Sequence, residues 1–284
     1  MKMTGLVLEG GAMRCMFTSG VLDVFLENGI KFDGACGISA GAVFGINYKS
    51  HQLGRAIRYS KKYASDPRFC SLKSLIKTGS MYGVDFCYRE IPEVLDPFDK
   101  ETFAKDPLKF YIGAMNVESG VVEYHECTDG GKEDMLWMQA SASLPLASKP
   151  VEIGGEKYLD GGVIDSIPYE YMEKIGYNRN VIILTQHKGY QKKKDRTLPL
   201  IRIFVRKYPK VVKEMEVRHI RYNRQLEEVE RRAASGEALI IRPPEPLGIK
   251  RSESDPEKLE WIYQLGRSEA TKRLDDVKAF LDAE

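Results

Sequence analysis

Residues 36–45 read CGISAGAVFG, and this stretch places a single serine, Ser39, between Gly37 and Gly41. A short apolar run precedes the motif, and an apolar pattern with helical spacing follows it. A serine on a sharp strand-to-helix turn exposes its hydroxyl, and the positive end of that helix favours a developing negative charge. The stretch therefore predicts a nucleophile elbow formed by Gly37, Ser39 and Gly41. A serine that caps a helix in a glycine-rich turn is the alternative.

Alternating strand and helix patterns around this turn predict an α/β fold. An apolar run at 4–8 precedes a helical pattern at 13–25, and a strand pattern at 30–36 precedes a helical pattern at 40–63. Strand, helix, strand and helix within about 60 residues indicate parallel βαβ units. Downstream, strand patterns occupy 108–116, 120–126, 151–153, 157–159, 181–185 and 238–241, and helix patterns occupy 133–142, a segment ending near 234, and 255–283.

Composition and charge exclude several classes of protein. The chain has 284 residues, a formal net charge of +2 and 43% hydrophobic residues, as ordinary globular proteins do. Its five cysteines include no CxxC pair, which argues against a disulfide framework and a zinc site. No run approaches the roughly 18 apolar residues of a membrane span, and no signal peptide is apparent. We therefore expect a cytoplasmic protein that uses no cofactor or metal.

A second glycine-rich turn follows the first predicted strand, where residues 9–15 read EGGAMRC. Backbone amides exposed at a helix N-terminus form a site for an anion. The amides in this turn belong to Gly10, Gly11, Ala12 and Met13. The Gly-x-Gly-x-x-Gly spacing of a dinucleotide site is absent. An oxyanion hole needs only amides directed at one point, and parallel strands end at one sheet edge, so this turn would lie beside the serine. A tight turn without a ligand is the alternative.

The base that activates Ser39 must be a histidine or a carboxylate. The four histidines are His51, His125, His187 and His219. The order serine, acid, histidine of α/β-hydrolases would select His187 or His219, but that fold has more strands before its nucleophile. Asp160 lies between an apolar strand and Gly161-Gly162, and it could accept the serine proton directly in a two-member pair. An Asp-Gly turn without a catalytic role is the alternative.

Together the three motifs resemble those of the patatin-like phospholipase family, in particular its bacterial branch. The resemblance covers about residues 4–186 and includes the small-residue block ASASLP at 140–145. It implies a three-layer α/β/α sandwich with a mainly parallel sheet, and hydrolysis of acyl esters of glycerolipids or lysolipids. It also implies the site roles: nucleophile Ser39, partner Asp160, oxyanion-hole amides at Gly10, Gly11, Ala12 and Met13, and Arg14 as loop anchor or ligand of anionic substrate groups.

Three positions in the first turn depart from the family pattern. Ala12 stands at the third glycine, Cys15 stands at a small residue, and Glu9 stands where aspartate is common. Alanine keeps its N–H but disfavours a positive φ. If the turn needs a positive φ at Ala12, we expect a distorted hole and a reduced activity.

The C-terminal third of the chain is basic. Residues 187–224 contain thirteen Lys or Arg against three acidic residues. We expect residues 1–190 to form the catalytic domain and 191–284 to form a basic, mainly helical extension packed on it. Four cations recur at helical spacing: Arg202, Arg206, Lys210 and Lys213. Such a helix would bring 188–224 against an anionic membrane surface, and a solvated helix face is the alternative. No recognition motif for nucleic acid accompanies the charge.

The leading hypothesis is a serine acyl hydrolase that acts on lipid esters through an acyl-enzyme on Ser39. An aspartate with an ordinary pKa is a weak base, so burial must raise the pKa of Asp160 for this chemistry. Two alternatives stay open: a histidine-dependent esterase on another α/β fold, and a non-catalytic lipid- or partner-binding module with a decayed site. Oligomeric state and acyl-chain preference have no signature in the sequence.

Overall fold

Eight strands form one central sheet in the computed structural model, which describes residues 3–283. In chain order they are β1 (Thr4–Leu8), β2 (Gly34–Ile38), β3 (Lys109–Asn116), β4 (Val122–Cys127), β5 (Val151–Ile153), β6 (Glu156–Asp160), β7 (Arg179–Ile183) and β8 (Ala238–Ile241). Across the sheet the order is β5-β6-β3-β2-β1-β7-β8, and β4 pairs with β3. Strands β1, β2, β3, β7 and β8 are parallel, whereas the other pairings are antiparallel. The mainly parallel α/β architecture expected from the sequence is confirmed.

Helices cover both faces of this sheet. They are α1 (Met16–Glu27), α2 (Ala40–Lys49), α3 (Arg55–Tyr63), α4 (Leu72–Thr78), α5 (Lys100–Lys105), α6 (Lys132–Ser141), α7 (Tyr169–Lys174), α8 (Leu198–Phe204), α9 (Pro209–Ala234), α10 (Pro256–Lys272) and α11 (Leu274–Asp282). A π-helix spans Phe86–Leu95, and short 3₁₀ turns span Ala12–Cys15 and Gly161–Val163.

The alternation of side chains along β1 defines the three layers. Leu6 and Leu8 pack in a core with residues of α1, α2, α3 and α10, and Val7 packs in a second core with residues of α7 and α9. All three side chains are fully buried. A parallel strand covered on both faces has no solvent side, which explains the unbroken apolar run in the sequence.

Several predicted boundaries differ in the structure. The second strand occupies Gly34–Ile38 instead of 30–36, so it continues up to Ser39. The predicted helix at 40–63 is two helices, because His51 and Gly54 take φ values of +55° and +68° between α2 and α3. The predicted helix at 255–283 is likewise divided between Lys272 and Leu274. Helices α4 and α5 and the π-helix, all in segment 64–107, have no counterpart among the predicted elements.

The single basic helix predicted from Arg202 to Lys213 is wrong. Helix α8 ends at Phe204 and α9 begins at Pro209, and the ring of a proline disfavours helical geometry in the residue before it. The C-terminal region also supplies a strand, since β8 pairs with β7. The division of the chain at residue 190 stays a prediction. Within 3–283, no helix combines the length and apolar character needed to cross a bilayer.

Candidate active site

Ser39 lies on the turn between β2 and α2, as the elbow motif predicts. Its backbone takes φ +55° and ψ −130°, a conformation that costs a residue with a side chain about 1–3 kcal/mol. A Cβ at Gly37 would lie 2.7 Å from the Ala42 nitrogen, and one at Gly41 would lie 2.6 Å from the Leu8 oxygen. The flanking glycines are therefore required by close backbone contacts.

A buried hydroxyl supports the strained backbone of Ser39. The Ser39 N–H donates to Ser141 Oγ over 2.8 Å, and Ser141 Oγ donates to the Gly113 carbonyl oxygen over 2.7 Å. Ser141 is the last residue of α6 and is fully buried. It belongs to the small-residue block at 140–145, but nothing in that pattern distinguishes it from Ser143. The structure thus identifies a positioning contact that the sequence analysis missed.

Asp160 reaches Ser39 through the register of the sheet. Strand β2 pairs with β3 up to Gly113, and β6 pairs with β3 from Ala114, which lies opposite Asp160. Because β2 and β6 pair with consecutive residues of β3, Asp160 lies next to the C-terminal end of β2. Ser39 and Asp160 line one small cavity, together with the turn at 10–12. The Asp160 carboxylate accepts from the Gly162 N–H over 2.7 Å.

The environment of Asp160 raises the pKa of its carboxyl group. The side chain is 1% exposed, and burial raises the pKa of its carboxyl above the ordinary aspartate value. The positive charge of Arg218, the Ser39 hydroxyl and the Gly162 N–H act in the opposite direction on this pKa. Arg218 is fixed here because its Nε donates to the Gly162 carbonyl oxygen over 2.7 Å. The raised pKa is the condition that the sequence hypothesis required.

The histidines lie elsewhere. None of the four lines either of the two cavities that contain Ser39 in the described structure. His51 contacts Asp106, and His125 contacts Asp134 over 2.7 Å. The geometry gives a histidine-dependent esterase no base beside Ser39.

The amides of the first turn differ in availability. The Gly10 N–H donates to the Ser166 oxygen over 3.2 Å, and the Met13 N–H donates to the Arg251 oxygen over 3.3 Å. Both are therefore engaged within the protein, contrary to the expectation of four available donors. No oxygen within residues 3–283 accepts from the amides of Gly11 and Ala12, although the Gly11 amide also faces the Cys15 sulfur. The turn adjoins Ser39, since a Cβ at Gly10 would lie 3.2 Å from the Ser39 Cβ.

The three residues that depart from the family pattern differ in their backbone conformation and in their contacts. Ala12 does adopt a positive φ, +51°, at a cost of about 1–2 kcal/mol. Cys15 is buried and its Sγ donates to the Glu9 carbonyl oxygen over 3.4 Å, while burial raises the pKa of its thiol. The Glu9 carboxylate accepts from Tyr222 Oη over 2.5 Å and from the Thr185 N–H over 2.6 Å. Glu9 thus ties the first turn to α9 and to the end of β7.

Two cavities meet at Ser39. The first has a mainly apolar lining, which includes Val43, Phe44, Phe69, Tyr82, Ile91 and Met138. Much of it comes from segment 64–107, which the sequence analysis left unassigned. The second is the smaller cavity with Asp160, and four cations line it: Arg14, Lys192, Arg218 and Arg251. Only Arg14 was singled out from the sequence. The other three were missed, although Lys192 and Arg218 lie in the basic stretch at 187–224.

One group of potential metal ligands lies away from this site. His125, Cys127 and Asp134 have ligand atoms within 4.8 Å of one another. Asp134 already accepts from His125 and from the three amides of 128–130. With its oxygens engaged in this way, Asp134 anchors a loop.

Comparisons with known proteins agree with the fold and the motifs. The model of the patatin-like phospholipase family matches residues 6–172, and that of a domain of unknown function, DUF6363, matches 208–282. The uncharacterized protein YjjU of Escherichia coli (strain K12) is 29% identical over 185 residues, which are 63% of this chain and 51% of YjjU. The lysophospholipase nte1 of Aspergillus niger is 26% identical over an alignment of 298 residues, which covers 98% of this chain and 18% of that protein.

The chain spans about half the length of the bacterial relative and less than a fifth of the fungal one. Among solved structures, VipD from Legionella pneumophila is 12% identical, with a TM-score of 0.49 over 97% of this chain and 67% of VipD. The first family model spans well over half of the 284 residues. The chain therefore belongs to the patatin-like phospholipase family.

Proposed function

We propose that the chain is a lipid acyl hydrolase in which Ser39 is the nucleophile and Asp160 is the base. One observation carries the proposal: Ser39 lies at the junction of an apolar cavity and a polar cavity that holds a buried Asp160. A hydroxyl beside a carboxylate of raised pKa is an activated nucleophile. Relatives named lysophospholipases support the same substrate class.

The first half of the reaction forms an acyl-enzyme. Ser39 Oγ attacks the ester carbonyl carbon and its proton passes to Asp160. The resulting oxyanion accepts hydrogen bonds from the amides of Gly11 and Ala12, which have no oxygen acceptor within the described residues. When the tetrahedral intermediate collapses, the bond to the alcohol oxygen breaks, and the alcohol leaves with the proton from Asp160.

The second half releases the acid. Water attacks the acyl carbon and gives a proton to Asp160, and the same two amides hold the second oxyanion. The bond to Ser39 Oγ then breaks, and Ser39 regains the proton from Asp160 as the fatty acid leaves. The acyl chain occupies the apolar cavity, because removing its methylene groups from water favours binding.

A serine-directed reagent tests this assignment. Incubation with an alkyl fluorophosphonate should add one adduct to the wild type, observed by intact mass spectrometry, and none to Ser39→Ala. Ser143→Ala is the matched control and should keep the adduct, since its hydroxyl donates to the Gln139 carbonyl oxygen. The wild type should also hydrolyse a long-chain monoacylglycerol. A folded wild type that is neither labelled nor active on a panel of acyl esters would favour the binding module instead.

Within 188–224, helix α8 and the two cations that follow it best support the expected membrane contact. Helix α8 exposes three large apolar side chains: Leu200 at 49%, Ile203 at 60% and Phe204 at 73%. The exposed cations Arg206 and Lys207 follow it directly. Apolar side chains beside cations suit an anionic lipid surface, which would bring the enzyme to its substrate in a peripheral location.

Replacing Phe204 by glutamate should weaken binding to vesicles of phosphatidylcholine and phosphatidylglycerol about tenfold, because it removes an exposed aromatic side chain that would enter the lipid and adds a negative charge that the anionic surface repels. Trp261→Glu on α10, where the tryptophan is 47% exposed, is the control and should bind like the wild type. Vesicle cosedimentation measures the effect. If both variants bind vesicles equally well, α8 does not contact the membrane, and this region is a solvated helix face.

A further inference from the structure

Four cations converge on the polar cavity, and Asp160 is the carboxylate that lines it with them. Arg14, Lys192, Arg218 and Arg251 line the cavity that contains Ser39 and Asp160. No carboxylate of residues 3–283 lies within salt-bridge distance of any of them. Arg14 Nε is buried and has no hydrogen-bond acceptor, so it makes no anchoring contact through that atom.

The nearby carboxylates have hydrogen-bond partners. Glu9 accepts from Tyr222 and from the Thr185 amide, and one oxygen of Asp195 accepts from the hydroxyl and the amide of Thr197. Asp195 lines the adjoining polar cavity, and its charge interacts with Arg218 and Arg251. Asp160 is the proposed base. The four cations outnumber the carboxylates beside them and repel one another, and a bound anion would offset the remaining repulsion.

The electrostatics of Lys192 show how strongly these cations interact. Burial, together with the charges of Arg218, Arg251 and Arg14, lowers the pKa of its ammonium to about 7, and the charge of Glu9 acts in the opposite direction. Its Nζ lies 4.1 Å from the centre of the Tyr222 ring. An anion in the cavity would reverse this effect and keep the lysine charged.

The C-terminal region holds these cations in place. The Lys192 N–H donates to Asn223 Oδ1 over 2.8 Å, and Asn223 Nδ2 donates to the Lys192 oxygen over 3.1 Å, which fixes Lys192 on α9. Arg218 is itself on α9 and contacts Gly162. The Arg251 carbonyl oxygen accepts from the Met13 N–H, so its loop is joined to the first turn.

We propose that Lys192, Arg218 and Arg251 form a subsite for a phosphate group on the alcohol side of the ester. This inference rests on the proposed function and names its substrate class, a single-chain acyl ester of a glycerol phosphate. The acyl chain extends from Ser39 into the apolar cavity and the alcohol extends to the opposite side. There, Lys192, Arg218 and Arg251 line both the polar cavity of Asp160 and a second polar cavity, which Asp195 also lines.

Paired substrates test the subsite. The wild type should hydrolyse 1-oleoylglycerol 3-phosphate with a kcat/KM at least about tenfold above that for 1-oleoylglycerol, both in mixed micelles of a neutral detergent. Lys192→Met and Arg251→Met should each reduce this ratio about tenfold, mainly through KM for the phosphate-bearing substrate. Lys194→Met removes an exposed charge two residues from Lys192 and should leave both substrates unaffected.

The outcomes separate the subsite from the proposed function. Hydrolysis of both substrates with equal kcat/KM, and no change of the ratio in the variants, would overturn the subsite while the acyl hydrolase stands. If hydrolysis fails altogether, calorimetric binding to Ser39→Ala decides. This protein should bind 1-oleoylglycerol 3-phosphate about tenfold more tightly than the Ser39→Ala/Lys192→Met double variant. Equally tight binding of inorganic phosphate would mean that the ligand is the free anion, and the substrate assignment would be wrong.

Discussion

Replacing Asp160 by asparagine is expected to lower kcat for acyl-ester hydrolysis by at least about 10³-fold, because the amide cannot accept the proton of Ser39. The change removes one proton acceptor and one negative charge beside Arg218. Asparagine has the same shape, and its side-chain oxygen can still accept from the Gly162 N–H. The loss should appear in kcat, with a smaller change in KM, since asparagine keeps the shape of the polar cavity and the apolar cavity is unchanged.

Stability should change in the opposite direction from activity. Burial raises the pKa of Asp160 in the folded protein, so the folded state holds this proton more tightly than the unfolded state. As pH rises from the unfolded-state pKa through the raised folded-state pKa, the carboxylate ionises in the buried site and the free energy of unfolding decreases. A neutral asparagine avoids this loss of stability. The melting temperature of Asp160→Asn at pH 7 should therefore be equal to or above that of the wild type, which separates lost catalysis from lost folding.

The same pKa predicts the acid limb of the wild-type pH profile. Only the ionised carboxylate can accept a proton, so kcat/KM should fall as pH decreases through the raised pKa of Asp160. This fall should occur at a higher pH than for an ordinary aspartate, whose pKa is about 3.9. A neutral monoacylglycerol is the substrate to use, because titration of Lys192 then affects no phosphate contact.

Asp165→Asn is the matched control for these measurements. Asp165 is also an aspartate whose pKa is raised by burial, but it accepts from Tyr124 and Gln225 and does not line the cavity of Ser39. We expect its activity to stay within about threefold of the wild type, as for a change outside the site. An Asp160→Asn protein that keeps more than a tenth of the wild-type kcat would mean that another group takes the proton.

Local sequence signals located the parts of this site that local geometry determines. Gly37, Ser39 and Gly41 are neighbours in the chain, and the close contacts that exclude a side chain at the glycines involve the adjacent turn of α2 and the end of β1. Asp160 also ends an apolar strand, but it lies beside Ser39 because β2 and β6 both pair with β3. Small residues at strand ends therefore identified Ser39 and Asp160 as candidates, and the alternating strand and helix patterns predicted the fold.

Other parts depend on residues distant in the chain. The four amides at 10–13 look alike in the sequence, but carbonyl oxygens of Ser166 and Arg251 engage two of them. Likewise, 13 cations at 187–224 form one basic run, yet Lys192 and Arg218 line the polar cavity while Arg202 pairs with Glu216 outside it. The direction of each side chain follows from the break between α8 and α9 and from the packing of α9, neither of which the charge pattern reveals.

Replacing Ser141 by alanine should lower kcat about 10- to 100-fold, through the position of Ser39. The Ser39 backbone has a positive φ, and its N–H loses its one acceptor when the Ser141 hydroxyl is removed. A partly buried N–H without an acceptor costs about 1–3 kcal/mol, which the turn can reduce by relaxing toward an unstrained backbone. Relaxation moves Ser39 Oγ relative to Asp160 and to the amides of Gly11 and Ala12.

The rate of fluorophosphonate labelling distinguishes this positioning effect from a general loss of stability. It should fall by the same factor as kcat, while KM changes less than about threefold, because the apolar cavity is intact. Ser143→Ala removes a neighbouring buried hydroxyl that donates to the Gln139 carbonyl oxygen, so it should match the wild type in both rates. If Ser141→Ala lowers only the melting temperature and labels at the wild-type rate, the elbow holds its geometry without this hydroxyl. The strain at Ser39 would then be maintained by the glycine contacts of Gly37 and Gly41 alone.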